Sequence, residues 1–210
     1  MHMNSLQDNK IAAALKRLHG EARGDSSRWA RDSTTRSNDL VRMGEIYLSI
    51  SEQEGMLLYL LARACKAQRI IEFGASYGVS TLYLGAAARD NNGILITTEA
   101  HPKKCAAVRK TLTEAGLVDT VTLLEGDARE TLADEKGPVD FLFLDGWKGM
   151  YLEVFEIIKP VFAPGAVIVA DNITHSAARN YHSAIGAPDS GFVTTTVDKQ
   201  EISIKVESEK

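Results

Sequence analysis

The sequence lacks most of what would mark a specialised protein. It has two cysteines, Cys65 and Cys105, both in segments that read as helices and neither in a ligand-type pair. A disulfide framework and a zinc cluster are thereby excluded, and reduced thiols in a cytoplasmic protein are expected. No apolar run approaches the roughly 20 residues that span a bilayer. Met1–Lys10 is polar and has no signal-peptide core. Positive charge is not in excess: 24 Lys and Arg face 28 Asp and Glu, a net charge of −4. A large nucleic-acid footprint usually shows as a basic surface, so that class of partner is disfavoured. There is no internal repeat and no low-complexity segment. What remains is a chain of 210 residues, 44% hydrophobic and 25% charged, able to bury the core of one substantial domain.

Residues 1–45 are polar, with one amphipathic stripe at Ile11, Ala14, Leu15 and Leu18. Arg23–Asp39 reads as a loop or lid. We expect this segment to lie over the main domain, 46–210, where it shapes an acceptor pocket or a homodimer contact. Ser51-Glu52-Gln53-Glu54 has the capping-box pattern that opens a helix. Strands and helices then alternate. Strands are expected at Arg69–Phe73, Ile94–Thr98, Val121–Leu124, Val139–Leu144 and Ala166–Ala170, the last after a turn at Ala163-Pro164-Gly165. Helices are expected at about Val79–Ala88, Pro102–Ala115, Ala128–Leu132 and Tyr151–Lys159. Phe192–Val197 and Glu201–Val206, split by Asp198-Lys199-Gln200, read as an antiparallel hairpin. The fold class is therefore α/β: a doubly wound, mostly parallel seven-stranded sheet, helices on both faces, closed by a C-terminal hairpin.

Two apolar runs end abruptly in polar side chains, Phe141-Leu142-Phe143-Leu144-Asp145 and Val167-Ile168-Val169-Ala170-Asp171-Asn172. Strand ends of this kind meet at the carboxyl edge of an open sheet, where ligands bind. Asp145, Asp171 and Asn172 can converge there as oxygen ligands for a hard cation such as Mg²⁺, with Mn²⁺ or Ca²⁺ equally suited to such ligands. Lys148 stands three residues beyond Asp145, within reach of what the cation holds. Either strand end alone would read as a helix cap; two at matching positions point to a site. Glu72-Phe73-Gly74-Ala75-Ser76-Tyr77-Gly78-Val79-Ser80 follows the first strand and opens a helix. Its glycines are spaced Gly-x-x-x-Gly, not in the pattern of pyrophosphate binders. Glu99 ends the next strand, where an acid grips ribose hydroxyls in nucleotide-binding units. Asp127 ends the third, either as an adenine acceptor or as a helix N-cap.

Together these residues resemble the class I S-adenosylmethionine-dependent methyltransferases, and among them the metal-dependent catechol O-methyltransferase-like family. The likeness runs from about Ile50 to the C-terminus. It implies S-adenosylmethionine as cofactor, with the methionine part at Glu72 and Ser80, the ribose at Glu99 and the adenine at Asp127, Ala128 and Trp147. The turn through Gly74, Ser76 and Gly78 and the backbone at Ile50 and Ser51 complete that site. It also implies a divalent metal on Asp145, Asp171 and Asn172, Asp145 bordering the cofactor as well, and Lys148 as the catalytic lysine. Two departures bear on the acceptor. Gly146 stands where the animal catechol enzymes carry His, and the acceptor-binding carboxylate of the terminal hairpin aligns with Phe192 or Val193. The expected partner is a small hydroxylated acceptor, with no membrane. The alternatives are a methyltransferase of tRNA wobble hydroxyuridine, drawing on Arg23, Arg28, Arg31, Arg36 and Arg42, a cofactor-binding protein without turnover, and a nicotinamide dehydrogenase.

Overall fold

The computed structural model describes residues 4–30, with side chains to residue 27, and 43–206. Trp29, most of the Arg-rich stretch and the remainder of the expected lid lie outside the described side chains. The sheet has seven strands: β1 (Arg69–Phe73), β2 (Ile94–Glu99), β3 (Val121–Glu125), β4 (Val139–Leu144), β5 (Phe162–Ala170), β6 (Phe192–Val197) and β7 (Gln200–Lys205). Their order is β3-β2-β1-β4-β5-β7-β6. β1 to β5 are parallel, and β7 is antiparallel to both β5 and β6. The helices are α1 (Asn9–Ala22), α2 (Asp25–Ala30), α3 (Glu52–Ala64), α4 (Val79–Asp90), α5 (Pro102–Ala115), α6 (Ala128–Thr131), α7 (Tyr151–Ile158) and α8 (Arg179–Ile185).

Alternation along the strands divides the core in two. Phe141, Phe143, Val167 and Val169 join α1, α3, α4 and α5 on one face. Leu142, Leu144, Ile168 and Ala170 join α6, α7 and α8 on the other. The expected stripe of α1, Ile11, Ala14, Leu15 and Leu18, is buried in the first of these clusters. The described N-terminal helix thus shares the sheet's core. Each large apolar side chain sunk there contributes about 1.5–3 kcal/mol.

Several elements differ from the reading of the sequence. Asp25–Ala30 is a helix inside the stretch expected to be loop. The Asp25 carboxylate accepts hydrogen bonds from the backbone of Tyr47 and Leu48, fastening it to the chain that leads into α3. Ala163-Pro164-Gly165 does not precede β5 but lies within it. Val139 pairs with Phe162, and the register then shifts before Phe141 pairs with Val167. Gly165 at φ 74° absorbs the irregularity. The hairpin turn is shorter than expected, only Asp198-Lys199, because Val197 pairs directly with Gln200. The capping box at the start of α3 is complete: Ser51 Oγ accepts from Glu54 N at 3.2 Å and Glu54 Oε2 accepts from Ser51 N at 2.6 Å.

Candidate active site

The strand order reverses between β1 and β4, which opens the crevice that such sheets use for ligands. The register lines up the turn residues there. Phe73 lies beside Thr98 on one side and Leu144 on the other, and Leu144 lies beside Ala170. Glu99, Gly74, Asp145 and Asp171 are therefore neighbours along the carboxyl edge. Asp145 N donates to Phe73 O and Asp171 N to Leu144 O, each at 2.9 Å, so the ladder fixes both aspartates. With Glu72 just below, the edge carries a run of carboxylates. Such a field favours a cationic ligand, a sulfonium or a metal ion, over the pyrophosphate of a dinucleotide.

The glycine turn is built for close approach. Gly74 has φ 98°, and a β-carbon on it would stand 2.6 Å from Gly146 Cα. Only glycine lets the turns after β1 and β4 touch in this way. Gly78, at φ 91°, caps α4. Ser76 is left-handed too, at φ 48°, and pays for that strain with hydrogen bonds from its N to Glu99 Oε2 at 2.8 Å and from its Oγ to Tyr47 O at 2.6 Å. Tyr47 stacks on Tyr77 at 4.1 Å, and Tyr77 Oη donates to Gly44 O at 2.5 Å. These contacts hold the segment ending in Ile50 and Ser51 against the turn. The Ile50 side chain itself is in the core, so its backbone is what the site can use.

Glu72 is wholly buried. Its Oε2 accepts from Thr81 Oγ1 and Thr97 Oγ1, each at 2.6 Å, and the Ser80 hydroxyl also bears on it. Burial is the main cause that raises its carboxyl above the ordinary range, and its Oε1 has no hydrogen-bond partner. An orphaned oxygen this deep calls for a donor from a ligand. Glu99 ends β2 with Oε1 accepting from His101 N at 2.8 Å. Lys104, on α5, is 5% exposed and lies 5.8 Å above the Tyr77 ring. Burial lowers its ammonium pKa, against the pull of Glu99.

On the other side of the crevice, Lys148 Nζ donates to Asp145 Oδ1 at 2.8 Å and sits 5.3 Å over the Tyr151 ring. The Asp145 carboxyl is pushed up to about 7, chiefly by burial, with Asp171 adding repulsion and Lys148 opposing both. Asp171 is 3% exposed; Tyr151 Oη donates to its carbonyl at 3.0 Å, and its Oδ1 is buried without a partner. Asn172 follows at φ 52° and is half-buried. Among the described residues no three His, Cys, Asp or Glu side chains gather as a metal group. The candidate donors are instead two carboxylates, Asp145 and Asp171, with the amide of Asn172 next in the chain. Mutually repelling buried carboxylates with one orphaned oxygen fit a divalent cation.

Asp127 is the N-cap of α6, accepting from Arg129 N at 2.9 Å, and its carboxylate is gripped by the Arg129 guanidinium. That contact holds its pKa down. Of the two readings, the capping one describes its geometry. Ala128 is buried behind it, and Trp147 is 51% exposed at the mouth of the crevice. Phe192 packs on Phe155 and Phe162, at 5.4 and 6.0 Å, at the amino end of the sheet. The acceptor edge cannot be formed there: β6 runs toward the site, and it is the hairpin's turn that reaches it. Lys199, in that turn, lies 3.5 Å from Asp171 Oδ2. The strand register would have revealed it, had β7 been aligned with β5. Tyr181, at 1% exposure, is a core residue packed on Tyr151 and Phe155.

Residues 71–173 match the family model described as a methyltransferase domain. A catechol O-methyltransferase of Niastella koreensis is 38% identical over 141 residues, 65% of this chain and 63% of its own length. This chain thus spans less than two thirds of that relative. The crystal structure of cofactor-bound Rv0187 from MTB superposes with a TM-score of 0.70 at 28% identity, covering 88% of this chain and 98% of that one. The O-methyltransferase TomG from Streptomyces achromogenes, solved in complex with SAM, gives 0.70 at 26%, covering 89% and 99%. Sheet order, crevice and relatives agree: residues 71–173 match a methyltransferase domain, and the chain is similar in sequence to catechol O-methyltransferases and in fold to O-methyltransferases solved with their cofactor.

Proposed function

We propose that the protein transfers the methyl group of S-adenosylmethionine to a hydroxyl of a small acceptor with adjacent hydroxyls, using a divalent cation held by Asp145, Asp171 and Asn172. The observation that carries this reading is the buried Asp171 oxygen without a partner, one strand from Asp145 with Lys148 bound to it. The segment to residue 45 is read as shaping the acceptor pocket or a homodimer contact, beside a methyltransferase domain from residue 46.

Methyl transfer needs an acceptor oxygen that is deprotonated and aimed at the methyl from the side opposite sulfur. A phenolic hydroxyl, with a pKa of about 10, is a poor nucleophile at neutral pH. When bound, the cation supplies Lewis acidity that favours the oxyanion. The Lys148 amine, in its uncharged form, takes the acceptor's proton and becomes the ammonium that Asp145 and the Tyr151 ring hold toward the crevice. Glu72, Ser80 and the Gly74–Gly78 turn bind the methionine end of the cofactor. Glu99 binds the ribose, and Trp147 covers the adenine with the Asp127-Ala128 turn beside it. Fixing oxygen and methyl at reactive distance provides the rest of the acceleration.

The test is methyl transfer from labelled S-adenosylmethionine to a panel of catechols, with Mg²⁺ and with EDTA, alongside Lys148→Ala and Asp145→Ala. Turnover that needs the metal and disappears in both variants is expected. Turnover indifferent to EDTA, or cofactor binding with no turnover on any vicinal diol, would overturn the reading.

A further inference from the structure

Lys199 already brings a cation to Asp171. Its Nζ lies 3.5 Å from Asp171 Oδ2 and 3.0 Å from Glu54 Oε1, between the hairpin turn and the start of α3. The backbone of Lys199 is fixed beside the site, because Ile173 N donates to its carbonyl at 2.9 Å. The side chain is 43% exposed and has room to pivot. Glu54 is fixed as well: its Oε2 is engaged by Ser51 N in the capping box, which leaves Oε1 to receive the ammonium. Asp171, by contrast, is almost fully buried and needs positive charge close by.

We propose that Lys199 is a displaceable counter-ion of Asp171. It neutralises the carboxylate when no metal is bound and withdraws onto Glu54 when a divalent cation arrives. The inference rests on the reading of Asp145, Asp171 and Asn172 as a cation site. Its reason is electrostatic. An ammonium and a divalent ion repel at a few ångströms in a partly desolvated crevice, and Lys199 and the ion approach the same buried Asp171 carboxylate, so the two compete for it. Lys199 therefore weakens metal binding, and Glu54 offsets that by giving the ammonium somewhere to go.

The test is direct Mn²⁺ binding at low ionic strength, read from the electron paramagnetic resonance signal of free Mn²⁺, with no turnover involved. Lys199→Met keeps the aliphatic stem and removes the charge; it should tighten Mn²⁺ binding at least tenfold. Glu54→Gln keeps the capping geometry. It should weaken binding severalfold in the otherwise wild-type chain and by less than twofold in combination with Lys199→Met. Asp171→Asn serves as the control that abolishes the site. If wild-type protein binds Mn²⁺ through Asp171 but Lys199→Met binds it no more tightly, this inference fails and the metal reading stands. If neither wild type nor Lys199→Met binds Mn²⁺, both fall.

Discussion

A β-carbon on Gly146 would stand 2.5 Å from the ring of Phe73. Phe73 is itself buried, edge-on to Tyr151 at 6.3 Å, so the ring cannot simply swing away. The histidine that animal catechol enzymes carry at this position has no room here. Gly146→His should cost about 1–3 kcal/mol by overpacking. Phe73→Leu should recover part of that loss in the double variant. Thermal unfolding of the single variants and of the pair measures it, and strict additivity would show that the two residues do not compete for space.

Lys148 is held by Asp145 rather than left in solvent, so its removal should be felt in chemistry. Lys148→Ala is expected to lower kcat by about 10²–10⁴-fold, the usual span for a general base. Binding of S-adenosylhomocysteine, followed by calorimetry, should change little. An equal loss in cofactor affinity would move Lys148 from proton transfer to cofactor binding.

Glu72 gives a pH signature. Its carboxyl is raised in the fold, mainly by burial. The folded chain therefore keeps a proton that the unfolded chain loses near pH 4.3. The resulting stability is fully present below that pH and is lost as pH rises through the higher folded value. Urea midpoints of the wild type should fall more steeply with rising pH above about 4.3 than those of Glu72→Gln. The same variant should bind S-adenosylhomocysteine at least about tenfold more weakly, since one charge-assisted hydrogen bond contributes about 1.5–3 kcal/mol. Parallel pH profiles would mean that Glu72 titrates normally.

Trp147 is half-exposed, with little to lose in stability. Trp147→Ala should leave the melting temperature unchanged and weaken cofactor binding about three- to tenfold, the scale of one aromatic stack. Quenching of its fluorescence on cofactor addition should vanish in the variant. Unchanged affinity would remove Trp147 from the cofactor site.

Much of this protein can be read from its residue order. The apolar runs ending at Leu144 and Ala170 identify parallel strands, because a strand covered on both faces is apolar on both. The Ser51–Glu54 box and the Gly74–Gly78 turn follow from local hydrogen bonding and backbone sterics, which depend on near neighbours alone. Asp145 and Asp171 could be paired in advance because parallel strands bring equivalent ends to one edge. Pro164 and Gly165 lie inside β5, although such residues usually end strands, because Phe162 pairs with Val139 before the register shifts.

Tertiary structure decided the rest, since the deciding contacts join residues distant in sequence. Phe73 fills the space beside Gly146. Tyr47 and Tyr77 bind the N-terminal segment to the glycine turn across 30 residues of chain. Lys199 meets Asp171 because β7 runs antiparallel to β5. Strand type and turn chemistry are local energies that a sequence displays. Which charges share a buried crevice depends on register and packing, and those are fixed only when the sheet closes.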